Sequence, residues 1–311
     1  MKNDPSFALV VHACDNYALL FDAFDHFFTQ CGGKNIGCQR YFLTENTAVH
    51  FDGFVNLKTG NGAWSDRLAH GLRQIPEKYV IYFQEDMWLD KPISPIFFNK
   101  LFDFILENDP PLVKLHPSKE YFTVDVGNSD NSGKGFDSTK NLEFKIKNLD
   151  SADGERVFIE GFQLTKLDNR RSGYLMSHQI SVWRKDFLLA QLPPNEHPWR
   201  NERRATKRLR RLNPPIFQLD YFGENDSPPN NPNLPTATPS HYFSVSANGT
   251  FDKTAEPFIA QLEKLPPLSI YAEKLRFHYE NQLTHSGAPR PRREGAFKKF
   301  RIWLRRQFSR Q

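Results

Sequence analysis

Short apolar runs alternate with segments of helical periodicity over residues 7–83, and this order constrains the fold more than any other feature of the chain. The apolar runs have the length and the β-branched and aromatic content of buried strands. Aromatic and leucine side chains recur at helical spacing over residues 17–28 and 64–75. The predicted strands are Phe7–His12, Arg40–Leu43, Phe54–Leu57 and Tyr79–Phe83. The resulting β-α-β-β-α-β order predicts an α/β fold with crossover helices.

The rest of the chain predicts further helices and strands around a polar insertion at residues 117–156. Prolines predict an irregular loop at residues 213–240, and Asn248-Gly249 predicts a hairpin turn. Strands are predicted at 112–115, 157–164 and 174–182, and helices at 92–108, 183–192, 196–211, 254–264 and 269–284.

Composition narrows the class of protein. The chain has 311 residues, enough for one large α/β domain with additions. Its three cysteines form no Cys-x-x-Cys pair, so we expect neither a zinc cage nor a disulfide framework, and a reducing cytoplasm fits best. Residues 1–13 do not resemble a secretory signal, and no window has the ~18 apolar residues of a membrane-spanning helix.

The net charge of +5 is concentrated in two places. Residues 290–311 hold nine Lys/Arg and one Glu, and residues 200–211 hold seven Lys/Arg against Glu202 alone. Without these two segments the chain is acidic. Localised basicity indicates a local anionic partner and argues against a protein coated by nucleic acid.

The strand at Tyr79–Phe83 is followed by Gln84, Glu85 and Asp86. In an open α/β sheet, ligands bind at the carboxyl ends of the strands. Carboxylates at that edge can hold a divalent cation, and the cation can neutralise a diphosphate. The alternative is that both acids only solvate the end of a strand or cap a turn.

Five motifs occur in a recognisable order: "CDNY", "YFLTEN", "NGAWSDRLAHGLRQIPEKYVIYFQEDMWL", "SHQISVWRKDFLLAQLPPNEHPWRNE" and "YFSVSANGTF". Over residues 7–265 this order resembles a family of bacterial glycosyltransferases with the glycosyltransferase-A fold, found among capsule and lipopolysaccharide biosynthesis proteins. The resemblance implies a Rossmann-like mixed sheet flanked by helices. It also implies a nucleotide-sugar-binding half, residues 1–115, and an acceptor-binding half, residues 116–285, ahead of a basic tail, 286–311.

The same resemblance implies the positions of the donor site. Side chains beside the nucleotide sugar would be Asp15, Tyr17, Gly62, Trp64, Ser65, Arg67, Glu85 and Asp86. Asp86 would match the acid that binds Mn²⁺ or Mg²⁺ in these enzymes. Gln84 stands where the family often has a first Asp, and Met87 where another acid can occur. These departures leave two alternatives: a transferase that uses a metal at Asp86, or a metal-independent transferase that neutralises the leaving group with Arg200, Arg203 and Arg204.

Glu202 would match the acid that acts as general base in inverting members of the family, with Glu196 as the reserve candidate. One carboxylate is sufficient to take the proton of the acceptor hydroxyl in an inverting transfer. The competing interpretation of Glu202 is an ordinary ion pair with an arginine of its own helix, such as the adjacent Arg203.

Several other residues have two interpretations each. Trp199 could stack on a sugar ring or anchor the core, and Gln179 could bind a sugar hydroxyl or satisfy a neighbouring loop. Arg200 and Arg203 are candidates for acceptor or phosphate contacts. His197 is expected to be a surface residue at a helix start. Gly60–Gly62 resembles a phosphate-cradling turn, but plain turns share that pattern. Trp88 and Trp183 are predicted to be core residues.

The C-terminal tail has apolar residues at helical spacing, Phe297, Phe300, Leu304 and Phe308, among lysines and arginines. An amphipathic basic helix of this kind is suited to an anionic membrane surface. It could also pack on the body, bind nucleic acid or be partly disordered.

The sequence therefore predicts a cytoplasmic glycosyltransferase, peripheral to the inner membrane, with a nucleotide-sugar donor and a surface-glycan or lipid-linked acceptor, and with no nucleic-acid partner. The rival from another class is a non-catalytic nucleic-acid-binding protein that uses the two basic segments.

Overall fold

The computed structural model describes residues 5–116, 156–159, 162–220 and 241–290. The chain divides into two compact units, Met1–Val245 and Ser246–Gln311. The boundaries predicted from the sequence are different ones: 115/116 separates the donor-binding half from the acceptor-binding half, and 285/286 separates that half from the basic tail. Because they are defined by function, they stay predictions. Most of the predicted insertion and nearly all of the basic tail lie outside the described residues.

Thirteen strands form within the described residues. They are β1 (Phe7–His12), β2 (Gln39–Thr44), β3 (Val55–Lys58), β4 (Tyr79–Gln84), β5 (Met87–Leu89), β6 (Leu112–Lys114), β7 (Arg156–Ile159), β8 (Phe162–Lys166), β9 (Ser181–Arg184), β10 (Ile216–Asp220), β11 (Tyr242–Ser244), β12 (Ser246–Ala247) and β13 (Thr250–Phe251).

In the part of the chain that the structure describes, one sheet has nine strands in the order β3-β2-β1-β4-β9-β6-β10-β8-β7. Strands β3, β2, β1 and β4 are mutually parallel, and β9 is antiparallel to its neighbours β4 and β6. Strand β10 runs parallel to β6, and a β7–β8 hairpin completes that edge. The predicted Rossmann-like mixed sheet is confirmed, whereas the predicted C-terminal helix lies outside the described residues.

The α-helices within the described residues number seven. They are α1 (Phe21–Gln30), α2 (Trp64–Gln74), α3 (Pro95–Asn108), α4 (Lys185–Ala190), α5 (Pro198–Leu212), α6 (Glu256–Glu263) and α7 (Ser269–Glu280). All seven correspond to predicted helices with small shifts at their ends.

Burial explains why β1 and β4 were predictable. Every residue of β1 is buried, as are Tyr79–Phe83 of β4, which is the pattern of parallel strands covered on both faces. Helix α2 contributes Leu68 and Leu72 to the core beside Leu43 of β2. A Cβ on Gly71 would lie 2.2 Å from the Leu43 side chain, so a glycine permits the close approach of α2 to the sheet. Trp88 and Trp183 are buried, as predicted.

Three predictions for the middle of the chain were wrong. The strand predicted at 174–182 is present only at its end, as β9, and Gln179 therefore lies before a strand and not on it. Residues 172–178 instead bond to side chains of α5: Arg210 to the Ser172 carbonyl, Thr206 to the Met176 N–H and Glu202 to the His178 N–H. The strand predicted at 157–164 is the β7–β8 hairpin, and the loop predicted at 213–240 begins with β10.

The unit Ser246–Gln311 begins with the predicted hairpin. Strand β12 pairs with β13 around Asn248 and Gly249, whose φ angles of 56° and 79° suit a tight two-residue turn. Helices α6 and α7 are joined by Arg276, which pairs with Glu256 and Glu263. Among the described residues, none of the helices combines the length and apolar content needed to cross a bilayer.

Candidate active site

The carboxyl ends of β1, β2 and β4 meet at one edge of the sheet, and Asp15 lies there in the turn after β1. Its carboxylate accepts hydrogen bonds from the backbone N–H groups of Glu45, Asn46 and Thr47 at 2.9–3.0 Å. In return, the Glu45 carboxylate accepts from the Asp15 N–H at 3.0 Å. Partial burial raises the pKa of Asp15, but these hydrogen bonds outweigh it and hold the pKa below its ordinary value. Asp15 therefore fixes the turn after β2 as a charged carboxylate.

Arg67 reaches the same edge from α2. Its guanidinium Nη1 donates to the Ala13 carbonyl at 3.0 Å, and its Nε lies 3.4 Å from the Glu45 carboxylate. The side chain is buried. Arg67 therefore places a guanidinium group at the end of β1. Arg67 and Asp15 thus share Glu45 as a partner, and their place beside a nucleotide sugar stays a prediction.

Glu85 and Asp86 follow β4 in different environments. Glu85 is buried, and its Oε1 accepts from the Cys14 N–H at 3.3 Å. Asp86 is half-buried, and its Oδ2 accepts from the Ser244 hydroxyl at 3.1 Å. Burial, then repulsion from Asp86, raises the pKa of Glu85 to about 8, and burial raises the pKa of Asp86 to about 6. Because Glu85 is buried, it does not solvate the strand end, whereas its hydrogen bond to the Cys14 N–H is compatible with the other alternative, that it caps a turn.

The residues beside Asp86 fit a loosely held divalent cation and not an all-protein cage. No cluster of three or more His, Cys, Asp or Glu suited to a metal occurs in the described ranges. Mg²⁺ and Mn²⁺ commonly take one or two carboxylates and complete their shell with water and substrate phosphates. Burial raises the pKa of both acids by disfavouring their charged forms, and a bound cation would oppose that effect.

Four rings from β1, α2, β4 and the segment before β9 lie near one another, and we call them the ring cluster: His12, Trp64, Tyr82 and His178. The His178 ring lies 4.1 Å from the Trp64 ring and 6.1 Å from the Tyr82 ring, and His12 lies 5.5 Å from Trp64. Each ring has a buried nitrogen or oxygen without a well-formed hydrogen bond among the described residues. Burial lowers the pKa of His178 to about 3 and that of His12 well below its usual range, so both are neutral.

Tyr82 connects the strand-end acids to Glu202. Burial, and then the negative charges of Glu85 and Asp86, raise the pKa of the Tyr82 hydroxyl well above its ordinary value, with a smaller contribution from Glu202. The Gln84 side chain lies close enough to lower it, although no well-formed hydrogen bond joins the two. Three carboxylates from two distant parts of the chain therefore act electrostatically on one buried hydroxyl.

Glu202 is half-buried on α5, and its Oε1 accepts from the His178 N–H at 3.0 Å. Burial raises the pKa of Glu202, opposed by that hydrogen bond and by the charge of Lys114. No ion pair joins Glu202 to Arg203 in the described part of the chain, so the ordinary ion-pair interpretation is not supported. A carboxylate whose pKa is raised toward neutrality is suited to accept a proton.

Lys114 is a site residue that sequence reasoning missed. It ends β6, is buried, and donates from Nζ to the Ser177 hydroxyl at 2.6 Å. Burial lowers its pKa to about 7, although the Glu202 carboxylate acts in the opposite direction. A buried lysine with a nearly neutral pKa next to a carboxylate is typical of a functional site.

We expect Lys114→Met to flatten the pH dependence of stability above pH 7. The pKa of Lys114 is about 7 when folded and ~10.4 when unfolded. Between these values the unfolded chain binds more protons, so the free energy of unfolding rises with pH, by up to about 1.4 kcal/mol per pH unit from this group. Denaturant unfolding at pH 7, 8 and 9 measures the slope. Lys58→Met, at an exposed lysine, is the matched control, and equal slopes in all three proteins would contradict the assignment.

The reserve candidate for the general base, Glu196, is buried, and its carboxylate is held by partners within the protein. Its carboxylate accepts from the Asn201 amide at 2.8 Å and pairs with Arg204 at 3.1 Å. Its backbone N–H donates to the Ser65 hydroxyl at 2.9 Å, and its carbonyl accepts from the Ser65 N–H. Glu196 and Ser65 therefore join the start of α5 to the start of α2. The hydroxyl of Ser65 already has Glu196 as a partner, and its predicted contact with the nucleotide sugar stays a prediction.

The remaining predicted residues differ in their exposure. Gly62 is exposed just before α2, while Tyr17 and Gln179 are half-buried. Gly60 has a φ of 74°, which suits a plain turn. Trp199 is 69% exposed, which excludes the core interpretation and leaves stacking on a ligand as the prediction. Arg200 and Arg203 are exposed on α5, and His197 is exposed at its N-terminus, as expected.

No protein-family model matches the chain, and no curated protein matches its sequence. Among solved structures, S. aureus TarS 1–349 in complex with UDP-GlcNAc is similar over 91% of this chain and 72% of that chain, with 11% identity and a TM-score of 0.43. UTP-bound UGPase from Acinetobacter baumannii is similar over 89% of this chain and 99% of that chain, with 7% identity and a TM-score of 0.42.

A third structure, CMP:2-keto-3-deoxy-manno-octonic acid synthetase complexed with CTP, covers 73% of this chain and 93% of that chain, with 15% identity and a TM-score of 0.35. Identities and TM-scores this low leave the substrate of the present chain to be argued from its own residues.

Proposed function

We propose that this protein is a glycosyltransferase that moves a sugar from a nucleotide-sugar donor to a surface-glycan or lipid-linked acceptor, with inversion at the anomeric carbon. The observation that carries the proposal is the convergence of two carboxylate groups with different tasks. Glu85 and Asp86 lie where parallel strands end and an anionic donor would need charge compensation. Glu202, from α5, holds the backbone of His178, whose ring lies 6.1 Å from the ring of Tyr82 on the strand that Glu85 and Asp86 follow.

The proposed donor site is the edge formed by Asp15, Arg67, Glu85 and Asp86. Arg67 supplies positive charge, and a divalent cation, where one binds, is held by Asp86 and neutralises the diphosphate. Asp15 holds the backbone of residues 45–47, so the edge is ordered before a donor arrives. Preorganised charge of this kind stabilises a leaving group without reorganisation during the reaction. A metal-independent transferase remains the alternative, supported by Arg67 and by the exposed arginines of α5.

In the proposed reaction the acceptor hydroxyl oxygen forms a bond to the anomeric carbon of the donor sugar. The bond between that carbon and the diphosphate oxygen breaks, and its electron pair leaves with the nucleoside diphosphate. The proton of the acceptor hydroxyl passes to Glu202. Because Oε1 already accepts from the His178 N–H, we assign proton transfer to Oε2. The neutral, buried ring cluster excludes water from the floor of the site, which protects the donor from hydrolysis.

A thermal-shift screen of nucleotide sugars, with and without Mn²⁺, tests the proposal. A ligand that binds only the folded state raises the melting temperature by mass action. We expect at least one nucleotide sugar to stabilise the protein, and Mn²⁺ to increase the shift. If no nucleotide sugar stabilises the chain under either condition, the proposed donor class is wrong.

We further propose that the enzyme acts on the cytoplasmic face of the inner membrane, held there by its basic, apolar C-terminal segment. We expect deletion of residues 290–311 to abolish binding to vesicles that contain anionic lipid, while the melting temperature changes little. Vesicle co-sedimentation measures the binding, and vesicles of neutral lipid are the control. Equal sedimentation of the full-length and truncated proteins would show that this segment is not the anchor.

A further inference from the structure

A strongly basic groove of about 500 Å³ lies between α5 and the segment 172–178, and we call it the α5 groove. Its lining includes five basic side chains, Arg200, Arg203, Arg204, Lys207 and Arg210, together with the acid Glu202. The proposed donor site does not account for this concentration of positive charge on one helix face.

The basic side chains of the α5 groove fall into two sets. Arg204 pairs with Glu196, and Arg210 donates to the Ser172 carbonyl, so both help to build the walls. Arg200, Arg203 and Lys207 are exposed, and none of them forms an ion pair within the described ranges. These three charges are therefore available to a ligand.

The available charges form a row. Positions 200, 203 and 207 share one face of an α-helix, and a rise of 1.5 Å per residue places successive members about 4–6 Å apart along the axis. Arginine binds phosphate or carboxylate oxygens through two parallel N–H groups. A row of this kind suits a ligand with repeated negative charges better than it suits a single anion.

Tyr174 gives the α5 groove an aromatic rim. It is 54% exposed and has a φ of 44°, a backbone conformation that tyrosine rarely adopts. The neighbouring backbone is fixed on both sides by α5, through Arg210 to Ser172 and Thr206 to Met176. An exposed aromatic ring held in an unfavourable backbone conformation indicates a binding role.

We propose that the α5 groove binds the acceptor, and that the acceptor is an anionic saccharide chain whose phosphate or carboxylate groups contact Arg200, Arg203 and Lys207. This inference rests on the proposed glycosyl transfer, because Glu202 lies in the same groove and would meet an acceptor hydroxyl there. The diphosphate of the donor has the same chemistry as a phosphate-bearing acceptor. However, Asp15, Arg67 and Asp86 already provide a donor site at the strand ends.

Nucleic acid fits the α5 groove less well. Single-stranded nucleic acid is bound by several aromatic rings in succession, whereas the lining of the α5 groove includes one, Tyr174. Glu202 in the lining would repel a phosphodiester backbone, whereas a hydroxyl that must lose its proton needs a carboxylate.

The test uses the full chain and calorimetric titration with inorganic polyphosphate as the anionic probe. We expect the triple variant Arg200→Gln/Arg203→Gln/Lys207→Gln to lose about 10-fold or more in polyphosphate affinity. The matched control, Lys253→Gln/Lys264→Gln/Lys274→Gln, removes three exposed lysines elsewhere and should keep its affinity within about 2-fold. UDP, GDP, CDP and dTDP, titrated separately with Mn²⁺, report on the donor site.

The results distinguish an acceptor site from a donor-diphosphate site and from a nucleic-acid site. Loss of polyphosphate binding with unchanged nucleotide affinity supports the proposal. Loss of nucleotide affinity in the groove variant would assign the groove to the donor diphosphate and overturn it, as would equal losses in the control. Tighter binding of single-stranded DNA than of polyphosphate would also overturn it, in favour of nucleic acid. If no nucleotide binds while the groove still binds polyphosphate, the proposed function fails but the anion site stands.

Discussion

Glu202→Gln should lower turnover by ~10²-fold or more and leave the affinity for the donor within a few-fold. Glutamine keeps the size of the side chain, and its amide oxygen can still accept the hydrogen bond from the His178 N–H. It cannot take the proton of the acceptor hydroxyl. Initial rates measured with a donor and acceptor found by screening give turnover, and calorimetry gives donor affinity.

Glu196→Gln is the matched control for this prediction, since it makes the same change on a nearby carboxylate that pairs with Arg204. We expect it to lower the melting temperature while turnover of the folded enzyme stays near that of the wild type. Near-normal turnover in Glu202→Gln would remove Glu202 from the mechanism. If Glu202→Gln unfolds, the role of Glu202 is structural: it fixes the backbone of His178.

Asp86→Asn should remove most of the Mn²⁺-dependent part of donor binding, at least about 10-fold in affinity. It should cost little stability, because burial already disfavours the charged form of Asp86 and raises its pKa to about 6. A cation binds the deprotonated carboxylate, so metal-dependent donor binding in the wild type should weaken as the pH falls through about 6. Calorimetric titration of the donor at several pH values measures both effects.

Ser244→Ala provides the comparison for Asp86→Asn, because it removes the hydroxyl that donates to Asp86 and keeps the carboxylate. We expect its metal-dependent donor affinity to stay within a few-fold of the wild type. Unchanged donor affinity in Asp86→Asn with Mn²⁺ present would contradict the metal role. It would favour neutralisation of the leaving group by Arg67 or by the arginines of α5.

The first half of the fold was predictable because its signals are local. β1 and β4 are apolar runs without interruption, and the helical spacing of Leu68 and Leu72 within α2 can be counted along the chain. The rule that parallel strands end at the same side of a sheet also places Asp15 and Asp86 after such strands, whereas their roles in a donor site stay predictions.

The segment 172–178 was not predictable by the same means. Leu175 and Met176 are buried, which looks like part of a strand in the sequence. Their backbone is held by side chains of α5, with partners separated by 24 to 38 residues along the chain. The local pattern of apolar residues does not show that side chains of α5, and not a neighbouring strand, form the hydrogen bonds to this backbone.

The centre of the candidate site was missed for a related reason. His12, Tyr82 and Lys114 are single polar residues on apolar strands. In a sequence, one polar residue on an apolar strand is interpreted as an isolated buried residue of the core. Tyr82 and Lys114 lie on either side of Ser181 because β9 lies between β4 and β6, an order that departs from the order of the strands in the sequence. The strand order is a property of the fold, and with it the isolated polar residues become neighbours.

The most direct test of glycosyl transfer is identification of the products by mass spectrometry after the protein is incubated with a nucleotide sugar, Mn²⁺ and an acceptor fraction rich in anionic glycans. We predict acceptor-dependent release of a nucleoside diphosphate, with the sugar attached to the acceptor, and loss of both products with Glu202→Gln. Release of pyrophosphate from a nucleoside triphosphate and a sugar phosphate, with no sugar transferred from any nucleotide sugar, would contradict the account and identify a nucleotidyltransferase.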